Sequence, residues 1–232
     1  MDGTLVDSEP NYFKADQGFL AGYGIHYGEE DRDHMIGRGS VEFFRIMSER
    51  YPDNRLNDLP LAERLRLKDE NYLAYASSHT FAFPEMTRLL RELSARGLPL
   101  AVASGSSQKV IAASLSSAGL SDYFTVTVSA EEVARGKPEP DIFLEAARRL
   151  GMEPEDCAVF EDSQYGITAA RRASMFTVGV PSPVAGPMPA AFNGADLLFP
   201  TGMREFTAEA LLARLGDQLG APETVDASFP SC

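Results

Sequence analysis

Cys157-Ala158-Val159-Phe160-Glu161-Asp162-Ser163 is a short apolar run that ends in two adjacent carboxylates and a serine. A run of about four apolar residues bounded by polar ones reads as a strand buried on both faces. A small-residue helix over 164–173 follows it, and then a second apolar run, Phe176–Val180. Strand, helix, strand with continuously apolar strands predicts a parallel sheet covered on both faces by helices.

The pattern extends in both directions. Upstream, Pro84 opens a helix whose apolar face is Met86, Leu89, Leu90 and Leu93, and Gly97 closes it; proline at the start and glycine at the end punctuate helices in this way. Leu98–Ala103 then predicts a buried strand ending at Ser104-Gly105-Ser106-Ser107, followed by a helix over 107–118 and a strand near Phe124–Val128. A helix is expected after Pro138 and Pro140, running to Leu150 with Gly151 as its stop, and Ala195–Phe199 predicts a further strand. The expected fold is therefore α/β, a Rossmann-like doubly wound parallel sheet. In such sheets the loops after the strand C-termini build the site.

Residues 10–80 differ. Phe13, Phe19, Leu20 and Tyr23, then Phe43, Phe44 and Met47, then Leu61, Leu65, Leu67 and Tyr72 recur at helical spacing with little strand pattern. This predicts a small α-helical cap over 10–80, inserted into a core made of 1–9 and 81–220, with 221–232 as a weakly ordered tail. Five of the 15 prolines fall between 181 and 200, which marks a long surface loop.

Composition limits the function classes. The chain has 232 residues, 44% of them hydrophobic, and a net charge of −13, enough to bury a real core. The acidic balance argues against nucleic acid, whose phosphate backbone needs a basic face. Two cysteines, Cys157 and Cys232, make a disulfide framework improbable and fit a reducing cytoplasm. No membrane span or secretory leader is expected. His26, His34 and His79 have no metal-ligand spacing and are assigned nothing.

Glu161 and Asp162 end an apolar strand, an unfavourable place for adjacent carboxylates unless a cation meets them. Magnesium is hard, prefers about six oxygen ligands and keeps several waters; Asp162 is the first candidate ligand and Glu161 the second, through water. Asp162 or Ser163 could equally cap the following helix. At the N-terminus, Met1-Asp2-Gly3-Thr4-Leu5-Val6-Asp7 reads as the second half of an Asp-x-Asp-Gly-Thr loop with Met1 as x. In such a loop two carboxylates bind magnesium and divide nucleophilic and acid/base duties.

Four segments together, Met1–Glu9, Val102–Ser106, Gly136–Phe143 and Val159–Ile167, resemble those of the haloacid dehalogenase-like hydrolase superfamily in its helical-cap branch of β-phosphoglucomutases and sugar-phosphate phosphatases. The resemblance covers nearly the whole chain. It implies that Asp2 is the general acid/base and gives a backbone carbonyl to magnesium. It implies that Thr4, Ser104 and Gly105 hold phosphate, that Lys137 neutralises the transferring phosphoryl group, and that Asp162 and Glu161 hold the metal. Arg38, between Gly37 and Gly39, and Glu9, where the chain leaves the core, are candidate substrate contacts from the cap side; each could also be a surface arginine or a hinge residue. Ser174 stands where the resemblance expects glycine, a departure read as bearing on packing.

The resemblance implies an aspartyl-phosphate formed on the first Asp of the loop, a residue that would precede Met1. The expectation is that an internal methionine has been read as the start, and that the chain as written does not turn over by the family's mechanism. Three readings stand: a magnesium-dependent phosphatase of small phosphorylated metabolites, a β-phosphoglucomutase-like phosphomutase, and a catalytically inactive phosphate-binding or regulatory protein. A monomer or weak homodimer is expected.

Overall fold

The computed structural model describes residues 1–36, 38–76, 80–183 and 186–216. Gly37, His79, Cys232 and the tail expected at 221–232 lie outside the described residues. The core runs α5 (Pro84–Ala95), β1 (Ala101–Ser104), α6 (Gln108–Ser117), β2 (Val126–Ser129), α7 (Asp141–Leu150), β3 (Ala158–Glu161), α8 (Gln164–Arg172), β4 (Phe176–Gly179), β5 (Leu197–Leu198) and α9 (Ala208–Leu215). The cap precedes it as α1 (Glu9–Ala21), α2 (Glu29–Met35), α3 (Ser40–Arg50) and α4 (Leu61–Ala76).

All strand pairs are parallel, and the ladders come in two parts, β1-β2 and β3-β4-β5. Residues 1–6 lie where the two parts meet. The Asp2 carboxylate reaches Ser104 at the end of β1, and the Thr4 hydroxyl reaches Asp162 just past β3. Met1, Leu5 and Val6 share one apolar cluster with Val102 and Val178. The expected single sheet is thus two parallel ladders bridged by a packed N-terminal segment.

Most local expectations hold for stated reasons. Met86, Leu89, Leu90 and Leu93 are the buried face of α5, and Pro84 opens it. Gly151 closes α7 with φ 69°, a left-handed turn that costs glycine little. Of the two candidate caps for α8, Ser163 takes the role: its Oγ accepts from the Gly166 N–H.

Three expectations shift. Cys157 lies just outside β3, because Pro154–Asp156 form a 3-10 turn that the Cys157 N–H closes onto the Pro154 carbonyl. β5 is only two residues long, because the Asp196 carboxylate is committed to the N–H and hydroxyl of Thr177, both at 2.7 Å. Ser174 departs from glycine in backbone conformation rather than in packing. Its φ is 61°, in the left-handed region that a Cβ disfavours.

The cap has its own core of Phe19, Leu20, Ile25, Tyr27, Phe43, Phe44, Met47 and Leu56. Leu61, at the first turn of α4, is instead 38% exposed. The cap is an insertion held at a double crossing, where Asp7 N–H donates to the Phe81 carbonyl and Phe83 N–H to the Leu5 carbonyl, both at 3.0 Å. Its base rests on the core: Ala15, Tyr72 and Ala76 cluster with Val110 of α6, and the Tyr12 and Tyr72 rings stack at 4.0 Å.

Candidate active site

The loops after β1 and β3 converge on the N-terminal segment, as the parallel sheet requires. The Asp2 carboxylate accepts hydrogen bonds from the hydroxyls of Ser8 (2.7 Å), Ser106 (3.1 Å) and Ser104 (3.4 Å). Gly3 has φ 65°, and a Cβ there would stand 2.1 Å from Oδ2 of Asp162. Only glycine lets the backbone pass this close to the acid. Thr4 is buried, and its hydroxyl donates to Oδ1 of Asp162 at 3.4 Å. Expected to hold phosphate, Thr4 is turned to the acid and does not line the cavity, which Ser104 and Gly105 do.

Lys137 enters from the loop before α7. Its Nζ pairs with Oε1 of Glu161 and lies 4.8 Å from the centre of the Phe143 ring. The other Glu161 oxygen accepts from Ser163 N–H (3.2 Å) and Oγ (3.0 Å). Gly166 leaves the room for this carboxylate, since a Cβ there would stand 1.9 Å from the Glu161 carboxyl carbon. Burial pushes Glu161 up, but the charge of Lys137, then that of the Met1 ammonium, and the hydrogen bonds from Lys137 and Ser163 together more than offset it and hold the carboxyl below its ordinary range.

Asp162 behaves oppositely. Burial, followed by the charge of Glu161, pushes it up to about 6, against the 2.6 Å hydrogen bond from the Ser182 hydroxyl. Among the described residues no cation pairs with it. The adjacent acids therefore divide: Glu161, the second expected metal ligand, is occupied by Lys137 and Ser163, whereas Asp162, among the described residues, is a buried carboxylate whose side-chain hydrogen bonds come from the hydroxyls of Thr4 and Ser182 and which feels Lys137 only through space. Its donor set is all oxygen and suits a hard divalent cation. Among the described residues no group of three or more His, Cys, Asp or Glu side chains gathers into a metal site; magnesium, which keeps several waters, does not require one.

A cavity of about 520 Å³ separates this floor from the cap. Glu9, at the first turn of α1, faces it; burial, then the charges of Asp162 and Asp2, raise its pKa to about 8. Arg38 does not project freely into the cavity. Its Nε donates to the His34 carbonyl (2.8 Å), its Nη1 to Glu42 (3.1 Å), and its guanidinium lies 4.9 Å from the ring centre of Tyr165 on α8. It joins cap to core at the cavity mouth, beside Gly39, where a Cβ would meet the Gly105 carbonyl at 3.6 Å. Deeper in the cap, Lys68 of α4 pairs with Asp16 of α1.

Ser8, Ser106, Ser182, Asp16 and Lys68 belong to the site and were not singled out from the sequence. Ser8 and Ser106 lie within recognised segments and could have been read there. Lys68 had a weaker signal, a charge four residues before Tyr72 on an otherwise apolar face. Ser182, twenty residues beyond Asp162 in a proline-rich loop, had none.

Known proteins resemble the chain in sequence and in fold. The family described as haloacid dehalogenase-like hydrolase matches residues 1–174. The chain is 36% identical over 180 residues to the fructose-1-phosphate phosphatase YqaB of Escherichia coli (strain K12), covering 78% of this chain and 93% of that one. It is 34% identical over 185 residues to a bifunctional riboflavin kinase/FMN phosphatase of Arabidopsis thaliana, covering 78% of this chain and, at 47%, about half the length of that relative. The structure superposes with a TM-score of 0.77 and 27% identity on CbbY from Rhodobacter sphaeroides in complex with phosphate, covering 88% of this chain and 92% of that one. The chain belongs to the haloacid dehalogenase-like hydrolase family.

Proposed function

We propose that this protein is a magnesium-dependent phosphatase of small phosphorylated metabolites, sugar phosphates first among them. One observation carries the reading: Asp2, Ser104, Lys137 and Asp162, a buried carboxylate without an ion-pair partner among the described residues, meet on the floor of one covered cavity. The names of the matched phosphatases support the same class of reaction.

Each residue has a task its surroundings suit. Ser104 Oγ and the Gly105 backbone, next to the end of β1, hold phosphoryl oxygens. Lys137, fixed by Glu161, neutralises charge as the phosphoryl group transfers, a reaction governed mainly by positioning and electrostatics. Asp2 holds and moves the proton of the leaving oxygen, its carboxylate oriented by Ser8, Ser104 and Ser106. The Asp162 carboxylate and the Asp2 backbone carbonyl would hold magnesium, which supplies Lewis-acid stabilisation of phosphoryl charge when bound. In the loop motif that the first residues resemble, the nucleophile is a carboxylate two positions before the residue matched by Asp2. The setting we propose is cytoplasmic, as a monomer or weak homodimer. Among the described residues no helix is long and apolar enough to cross a membrane.

The test compares this chain with a form extended in frame upstream, both assayed with magnesium for phosphate release from a panel of sugar phosphates. Release by the extended form, lost in Asp162→Asn, is expected. Interconversion of sugar phosphates with a bisphosphate primer would indicate a phosphomutase instead. Magnesium-dependent phosphate binding without hydrolysis by either form would indicate an inactive binding protein.

A further inference from the structure

We propose that Tyr12, on the first helix of the cap, is a positioning residue for the acid/base: acting through Ser106, its hydroxyl fixes the direction of the Asp2 carboxylate. This deepens the phosphatase reading and rests on it.

Oδ2 of Asp2 accepts from two hydroxyls, Ser106 at 3.1 Å and Ser104 at 3.4 Å, so Ser106 is the nearer partner of that oxygen. Ser106 Oγ also lies 2.9 Å from the Tyr12 hydroxyl. Proton count sets the direction of that bond. A carboxylate only accepts, and a serine hydroxyl has one proton to give; Ser106 gives it to Asp2. Tyr12 is therefore the donor, and the bonds run from Tyr12 to Ser106 to Asp2. The backbone of Ser106 is held as well, its N–H by Ser104 Oγ at 3.2 Å and its carbonyl by the Ser129 hydroxyl at 2.7 Å. A fixed backbone still leaves a serine hydroxyl three staggered directions. Tyr12 selects the one whose proton faces Asp2.

The rest of the Tyr12 side chain does not need the hydroxyl. Its ring stacks on Tyr72 at 4.0 Å, and the Lys68 ammonium lies 5.4 Å from its centre; a phenylalanine ring would keep both contacts. Two other cap segments touch the same core loop: Gly39 lies against the Gly105 carbonyl, and Asp69 of α4 reaches the Ser107 hydroxyl. Among the described residues, of these three contacts only that of Tyr12 continues to Asp2. The acid/base stands on the core and its outermost support on the cap, so Asp2 is held in register only while α1 is seated. Register matters because a proton donor acts within hydrogen-bond reach of the leaving oxygen, and a small misplacement costs rate steeply. As the bond from phosphorus to the leaving oxygen breaks and that to the nucleophile forms, the leaving oxygen keeps the electron pair and takes the Asp2 proton. An alkoxide needs that proton, whereas a nitrophenolate departs as a stable anion. Loss of the Tyr12 hydroxyl therefore slows alkyl esters and spares activated aryl esters.

Two measurements test this. In this chain, thermal unfolding of Tyr12→Phe, Ser106→Ala and the double variant reads the bond itself. The double variant should unfold no earlier than Ser106→Ala alone, because both changes remove one interaction. In the form extended upstream, with magnesium, kcat/KM reads the steps through departure of the leaving group. For Tyr12→Phe it should fall at least about tenfold with a hexose phosphate and stay within about twofold with p-nitrophenyl phosphate. Ser106→Ala should show the same split, and Ser106→Thr, which keeps a hydroxyl, should recover most of the loss. Should Tyr12→Phe fold poorly, the two Ser106 variants carry the ester comparison. Equal losses for the two esters overturn the inference and leave the phosphatase reading standing. So do unfolding shifts that simply add, or a Tyr12→Phe variant that matches the parent on both esters. Release of phosphate from neither ester by the extended parent overturns both readings together.

Discussion

Core and cap each aim one buried lysine–carboxylate pair at the same cavity, and the two pairs do different things. Lys137 and Glu161 have side chains 12% and 5% exposed, and Lys68 and Asp16 have 5% and 8%. By burial alone they are alike. In the core the carboxylate is saturated, with Ser163 on its second oxygen, so the pair positions the ammonium over the floor. In the cap, among the described residues, each partner hydrogen-bonds only the other, and the Lys68 ammonium lies against the Phe43 and Tyr12 rings. A buried ion pair is therefore defined less by its exposure than by what else its carboxylate holds.

The sharpest way to break the comparison is to remove each lysine. Lys137→Met in the turnover-competent protein should lower kcat by about 10²–10³ for every ester alike, because it removes stabilisation of charge at the reacting group. It should also destabilise the fold by about 3–5 kcal/mol, since Glu161 is left buried and unpaired. Lys68→Met should cost a similar about 3–5 kcal/mol in urea unfolding, but its kinetic loss should depend on the ester, greatest for hexose phosphates and least for small ones. Adding Asp16→Leu to Lys68→Met should recover most of that stability, because an apolar pair of similar volume replaces the ion pair with little net cost. Identical substrate profiles for the two lysine variants would erase the distinction between floor and cap.

Glu9 lies between the two regions and should register the acids of both. Its pKa is raised from 4.5 to about 8 in the folded protein, so the stability it contributes is fully present below about pH 4.5 and is lost as pH rises through about 8. Glu9→Gln should therefore unfold at the same temperature as the parent at low pH and at a higher one above pH 8, with divalent cations absent. Parallel profiles across that window would mean that Glu9 titrates as an ordinary surface acid. The smallest expected effect lies in the core away from both pairs. Ser174→Gly should raise stability by about 0.5–1 kcal/mol by relieving the left-handed backbone at φ 61°. Thermal unfolding should show the gain with binding unchanged, which sets the scale for a purely structural change.

The core was the more legible half. Its strands announce themselves as apolar runs, and Lys137, Ser104 and Asp162 stand at their ends within short, recognisable segments. Which acid would take the lysine was not legible. Glu161 and Asp162 are equivalent in sequence, and they separate only because Ser163 and Gly166 at the head of α8 fit one carboxylate while Ser182 and Thr4 surround the other. In the cap, helical periodicity revealed the apolar positions but made Lys68 look like an interruption, because its partner lies 52 residues away on another helix. For Arg38 the sequence left a substrate contact and a surface arginine both open, because Tyr165, which packs beneath it, belongs to a different layer.

The sequence by itself determined the element types, the parallel α/β core with its helical insertion, and the loops that bear chemistry. These follow from local rules: apolar spacing, capping residues, and the turns that glycine and proline set. Only the tertiary structure decided the partnerships: Glu161 for Lys137, the Thr4 and Ser182 hydroxyls for Asp162, Asp16 for Lys68, and Tyr165 for Arg38. Charge pairing acts over a few ångströms and ignores distance along the chain, so residues identical in local pattern acquire different roles once packing selects their neighbours.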